Sequence, residues 1–91
     1  MATIHVNTDL LRQLGNLFRQ LNAQIHQQIK PQLQVITNQL EADWQGQTRA
    51  RYDQLFSDWN ITLDRLTQAG DELGHHLQDT VTLFEQADQS L

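Results

Sequence analysis

Apolar residues return every three or four positions along almost the whole chain, and this periodicity breaks once, at Trp44-Gln45-Gly46, near the midpoint of 91 residues. The first series runs Leu10, Leu14, Leu17, Leu21, Ile25, Ile29, Leu33, Ile36 and Leu40. The second runs Thr48, Tyr52, Leu55, Trp59, Leu63, Leu66, Gly70, Leu73, Leu77, Val81 and Phe84. Such spacing puts one apolar stripe on one side of an α-helix. One proline and four glycines leave few places for turns, and no Ser/Gly/Pro-rich linker divides the chain. The predicted fold class is all-α: a helical hairpin in one domain spanning 1–91, with helix 1 over about 7–42, a turn at 43–46 and helix 2 over about 47–88.

Local signals fit those bounds. Asn7 can cap the first free amides, with Val6 and Leu11 spaced as a hydrophobic staple. Pro31 cannot donate to the carbonyl of Gln27, and its ring crowds that turn, so a bend is expected there. The stripe continues in phase on both sides of the proline, so helix 1 should not end at it. Gly46 can adopt the left-handed conformation a helix-to-helix turn needs. Trp44 can lie over the open end of the hairpin, provided its ring nitrogen finds a polar partner.

At a rise of about 1.5 Å per residue, arms of this length reach on the order of 55 Å, and two of them side by side enclose no interior. Each helix covers only part of its partner's stripe. A second hairpin is the natural cover, giving an antiparallel four-helix-bundle dimer at the shallow crossing angle of coiled coils. Leu14, Leu17, Leu21, Ile25, Tyr52, Leu55, Trp59, Leu66 and Leu73 are the expected packing residues of this bundle and its core. A turn near residue 45 also predicts that facing positions sum to about 90. Trp59 then lies opposite Pro31, Arg19 near Asp71 and Arg12 near Asp79, the charged pairs each contributing about 0–1 kcal/mol. Gly15, Gly70 and Gly74 come close to one level. Helical glycine costs about 1 kcal/mol relative to alanine, so the three suggest either close backbone approach or simple tolerance.

Composition excludes several classes. The net charge is -5, and the acidic excess lies in the second half, which argues against a nucleic-acid partner. With no cysteine there is no disulfide and no thiolate chemistry. No basic start followed by an apolar run resembles a signal peptide, and nothing is long and apolar enough to span a bilayer. Membrane interaction is not expected of the folded ground state. Catalysis has little support either. Glu72-Leu73-Gly74-His75, with His76 and Asp79 nearby, has the Glu-x-x-His spacing of di-iron helices, but the facing level around Gly15 to Arg19 offers no carboxylate. His5 and His26 lack spaced ligand partners. Ser57 and Ser90 lack a base in a recognisable motif, and there is no glycine-rich phosphate loop. No enzymatic activity, metal or cofactor is expected.

With its central Trp44-Gln45-Gly46, the downstream aromatics Tyr52, Phe56 and Trp59, and leucines continuing at helical spacing, the chain resembles the WXG100 family, the ESAT-6-like proteins of type VII secretion. The resemblance covers almost the whole sequence. It implies a helical hairpin that pairs antiparallel and leaves the cell folded, as a dimer, through a membrane-embedded export machine whose ATPase would be a partner. It also implies a route out of the cytoplasm, and so a secreted protein, without a cleavable signal peptide. Family members often carry a tyrosine followed four residues later by an acidic residue, which joins the partner's tryptophan-glycine turn as a bipartite export signal. Here Phe84 and Asp88 hold that spacing, with phenylalanine in place of tyrosine, so the candidate export residues are Trp44, Gly46, Phe84 and Asp88. The alternative for Phe84 is a last core residue of helix 2, with Asp88 solvated. The resemblance leaves open a homodimer, favoured by the balanced apolar arms, or a heterodimer with a related small helical protein. Two other classes stay in view: a cytosolic coiled-coil scaffold or adaptor with no export role, and a membrane-active hairpin that opens on acidification.

Overall fold

A computed structural model describes residues 6–89, with the side chains of Asp88 and Gln89 outside the description. The chain forms helix α1 (Thr8–Gln24), a π-helical segment (Ile25–Ile29), helix α2 (Lys30–Gln39) and helix α3 (Gln47–Gln89), with no strand among the described residues. The first three are continuous and form one arm of a helical hairpin; α3 is the other arm. The molecule measures 68 × 21 × 14 Å. A helix with side chains is about 10–12 Å across, so the two arms lie in a single layer with both broad faces open.

The start of α1 follows from Asn7. Its side chain accepts from the Leu10 amide at 3.1 Å, and its carbonyl accepts from Leu11 at 3.2 Å. Val6 and Leu11 are both half-buried there.

The strain expected at Pro31 is met upstream. The Lys30 amide donates to the Ile25 carbonyl, the wider ladder of a π turn, and α2 then carries Pro31 in its first turn. The physical cause is the proline, which brings no N–H and presses on the preceding turn, so the ladder relaxes before it. A π turn also rotates less per residue. This keeps Thr37, beyond the proline, on the same inward side as Asn22, before it, and both are buried.

The seam between the arms is made mostly of small and polar residues. Gly15 and Asn22 of α1, together with Thr67, Gly70 and Gly74 of α3, are buried, alongside the apolar Ile25, Leu63 and Val81. A Cβ at Gly70 would lie 2.9 Å from the Asn22 side-chain oxygen, and one at Gly15 would lie 3.8 Å from the Leu77 Cβ. Gly70 therefore serves close approach, while at Gly15 and Gly74 an added Cβ would meet only ordinary van der Waals contact. Asn22 fills the notch over Gly70 and donates through Nδ2 to the Thr67 carbonyl at 2.8 Å and the Asp71 carboxylate at 2.9 Å. His26 Nε2 lies 3.1 Å from Thr67 Oγ1, and that hydroxyl donates to the Asp64 carbonyl at 3.0 Å.

The register differs from the predicted one by two residues. Gly15 faces Leu77 and Asn22 meets Gly70, pairs that sum to 92. The ion pairs change accordingly. Arg12 pairs with Asp9 and with Glu85 rather than Asp79, and Asp71 is taken by Asn22 rather than Arg19. Helical side chains lean toward their own N-terminus. Arg12 thus leans to the open end of the hairpin and Glu85 leans back from it, so the two meet. Arg19 instead lies across Gly74, its Nε 3.9 Å from where a Cβ would stand.

Candidate functional site: the tryptophan turn and the outer apolar face

Past Gln39 the helix tightens. Glu41 donates to Asn38 and Asp43 to Leu40 across three residues, before Trp44 bonds back to Leu40 at 2.8 Å. Gly46 then takes a φ of +100° with nothing within 4 Å of a notional Cβ, so glycine is required here by backbone conformation and not by space. Its carbonyl accepts from Ala50 at 3.0 Å and opens α3.

Trp44 is half-buried at this apex. Its ring nitrogen donates to Thr48 Oγ1 at 2.9 Å, which satisfies the polar requirement of a partly covered indole. The ring begins an aromatic ladder along α3: Trp44 to Tyr52 at 5.0 Å, Tyr52 to Phe56 at 5.5 Å and Phe56 to Trp59 at 6.2 Å between centroids. Tyr52 ties the ladder to the other arm, its hydroxyl 2.6 Å from Thr37 Oγ1. The Arg49 guanidinium lies 5.7 Å from the centroids of both Trp44 and Tyr52. Glu41, Trp44, Gln45, Gly46, Arg49 and Asp53 border a shallow open depression beside the apex.

The expected packing residues divide between two faces. Ile25 is buried in the seam and Tyr52 is half-buried. Leu14, Leu17, Leu21, Leu55, Trp59, Leu66 and Leu73 are all exposed, from 40% at Trp59 to 61% at Leu17. On α3 the heptad alternates: Leu63 and Gly70 turn into the seam, while Trp59, Leu66 and Leu73 turn out. The single stripe read from the sequence is therefore two adjoining stripes. Phe84 is half-buried in the last turns of α3, and the Asp88 side chain lies outside the described residues.

A match to the family described as proteins of 100 residues with WXG spans residues 3–89. The chain belongs to the WXG100 family. WXG100 proteins are small helical proteins linked to type VII secretion, and they generally form dimers. Neither the curated proteins nor the solved structures gave a match. No helix among the described residues is long and apolar enough to cross a membrane. In this WXG100 chain the described residues hold no cluster of three or more His, Asp or Glu suited to a metal.

Three features of the WXG100 turn were missed in the sequence. Thr48 and Arg49 had a local signal, four and five residues after the tryptophan and so within one turn of α3. The Thr37–Tyr52 contact had none, because it joins two arms across the turn and depends on their register.

Proposed function

We propose that this chain is a small secreted helical-bundle protein, a substrate, effector or co-export partner of a type VII secretion system, and that it acts by protein–protein binding rather than by chemistry. The observation that carries the reading is the outer apolar face. Leu10, Leu14, Leu17 and Leu21 on one arm and Leu55, Leu66 and Leu73 on the other are all exposed, beside a seam already closed. An apolar surface of this extent marks a protein-binding site. In the predicted arrangement a second copy covers it antiparallel, as a four-helix bundle.

That arrangement also bears on the export residues. Along α3, Trp44 and Phe84 lie at opposite ends of the hairpin, on the order of 60 Å apart by helical rise. An antiparallel partner brings Phe84 and Asp88 of one chain to the Trp44 and Gly46 turn of the other, where they form one composite surface for the export ATPase. Phenylalanine at position 84 keeps the ring for such a surface and gives up the phenol hydroxyl.

The test combines light scattering of the purified protein with export from cells carrying Trp44→Ala. We expect a dimer in solution, and a dimeric Trp44→Ala protein that stays in the cell. A dimer whose export is untouched by Trp44→Ala, or that never leaves the cell as wild type, would favour the scaffold reading instead.

A further inference from the structure

Arg49 is placed against its own helix. It lies in the first turn of α3, which holds no acidic residue, where the positive end of the helix dipole disfavours a cation. It is nonetheless drawn inward, its side chain only 14% exposed. One of its terminal nitrogens, Nη1, is buried and has no hydrogen-bond partner. Burying a guanidinium donor without an acceptor is costly unless another electron-rich group faces it. Two do: the Trp44 and Tyr52 rings, each with its centroid 5.7 Å from the guanidinium carbon. The guanidinium is held in place by its Nε, which donates to Asp53 Oδ1 at 2.8 Å.

From this arrangement we infer that Arg49 is the positioning residue of the tryptophan turn: its guanidinium, oriented by Asp53, holds the Trp44 indole in the pose offered for recognition. The inference rests on the reading that Trp44 is recognised during export. Among the described residues the indole is also anchored by the Thr48 hydroxyl and the Tyr52 ring. A permanently charged group over the ring supplies a cation–π contact that neither of them does. Asp53 is the more exposed partner of the pair at 55%, so its role is to orient the guanidinium rather than to neutralise a buried charge.

The test uses Arg49→Met, which keeps an apolar stem and removes the guanidinium, and reads the Trp44 indole N–H by its heteronuclear NOE in the labelled dimer. The expected result is a lower NOE at Trp44 with the Trp59 indole unchanged, and export reduced by about fivefold, the bias a contact of this kind gives between docked and free rings. An unchanged Trp44 NOE overturns the inference, whatever happens to export. Should Arg49→Met fail to assemble, Arg49→Lys decides by the same NOE, because it keeps the charge and loses the flat surface. Trp44→Ala separates the two claims: normal export of that variant removes the recognition reading, while the NOE still decides whether Arg49 holds the ring.

Discussion

The hairpin presents two long surfaces built on opposite principles. The seam brings the arms together over glycine and fills its notches with amide and hydroxyl groups, burying only Ile25, Leu63 and Val81 among the described apolar side chains. The outer face carries most of the leucines and leaves them in water. A fully buried aliphatic side chain contributes about 1.5–3 kcal/mol. Three of them do little against the entropy of ordering two long helices, at about 1–2 kcal/mol for each residue's backbone. The seam therefore determines how the arms align, and the outer face holds the hydrophobic energy that a partner would release. Shape and the proposed assembly thus fall to different residues.

The largest expected effect comes from breaking the outer face. Leu17 and Leu66 are 61% and 57% exposed, so changing both to glutamate leaves the seam intact. In a bundle that covers this face, the change removes two buried leucines and adds two desolvated carboxylates. Self-association should weaken by several kcal/mol, more than about a hundredfold. Sedimentation measures the loss. A hairpin that is monomeric as wild type, or a double variant that still dimerises, would remove the outer face from the assembly.

A smaller effect is expected in the seam, and there it depends on a pair. Gly70→Ala puts a Cβ 2.9 Å from the Asn22 oxygen, in an amide held by two hydrogen bonds. The alanine must evict the amide, leaving buried polar groups unpaired at a cost of about 1–3 kcal/mol. In an Asn22→Ala background the notch is empty, and the same alanine should be neutral or stabilising by up to about 1 kcal/mol through helix propensity. Urea unfolding of the four proteins gives the coupling. Additive effects would mean that the notch does not hold Asn22.

These two surfaces were not equally legible in the sequence. The hairpin, its turn and the apolar period could be read directly, because Trp44-Gln45-Gly46 interrupts a spacing that only a helix explains. The family resemblance was legible from the same triplet and the aromatics after it. The division of the stripe into inner and outer halves was not. Leu63 and Leu66 are identical as residue types, and only the register of the facing helix decides that one is buried and the other is not. The seam itself was hidden for a related reason: nothing in the sequence marks the polar Asn22 as buried until Gly70 and Thr67 of the other arm are placed opposite it. The π turn at Ile25–Ile29 follows from Pro31, but a proline alone does not say whether a helix will kink or widen.

The smallest expected effect concerns a charged pair near the middle of the seam. Lys30 Nζ lies 2.7 Å from Asp64 Oδ1, joining the arms from a half-buried ammonium to an exposed carboxylate. The hydrogen bond from Lys30 holds the Asp64 carboxyl below the ordinary aspartate value, against a weaker upward push from partial burial. A carboxyl depressed on folding contributes stability above its unfolded value, and that contribution is lost as the pH falls through the folded one. Both ends are open to solvent, so the effect is modest and screened by salt. An NMR titration of the Asp64 side chain should show its midpoint rising toward the ordinary value in Lys30→Met, with self-association unchanged. A midpoint that does not move would show that the pair exerts no hold on the seam. A loss of association would show instead that the seam and the outer face are not independent, and that pairing of the arms is itself part of what the second copy recognises.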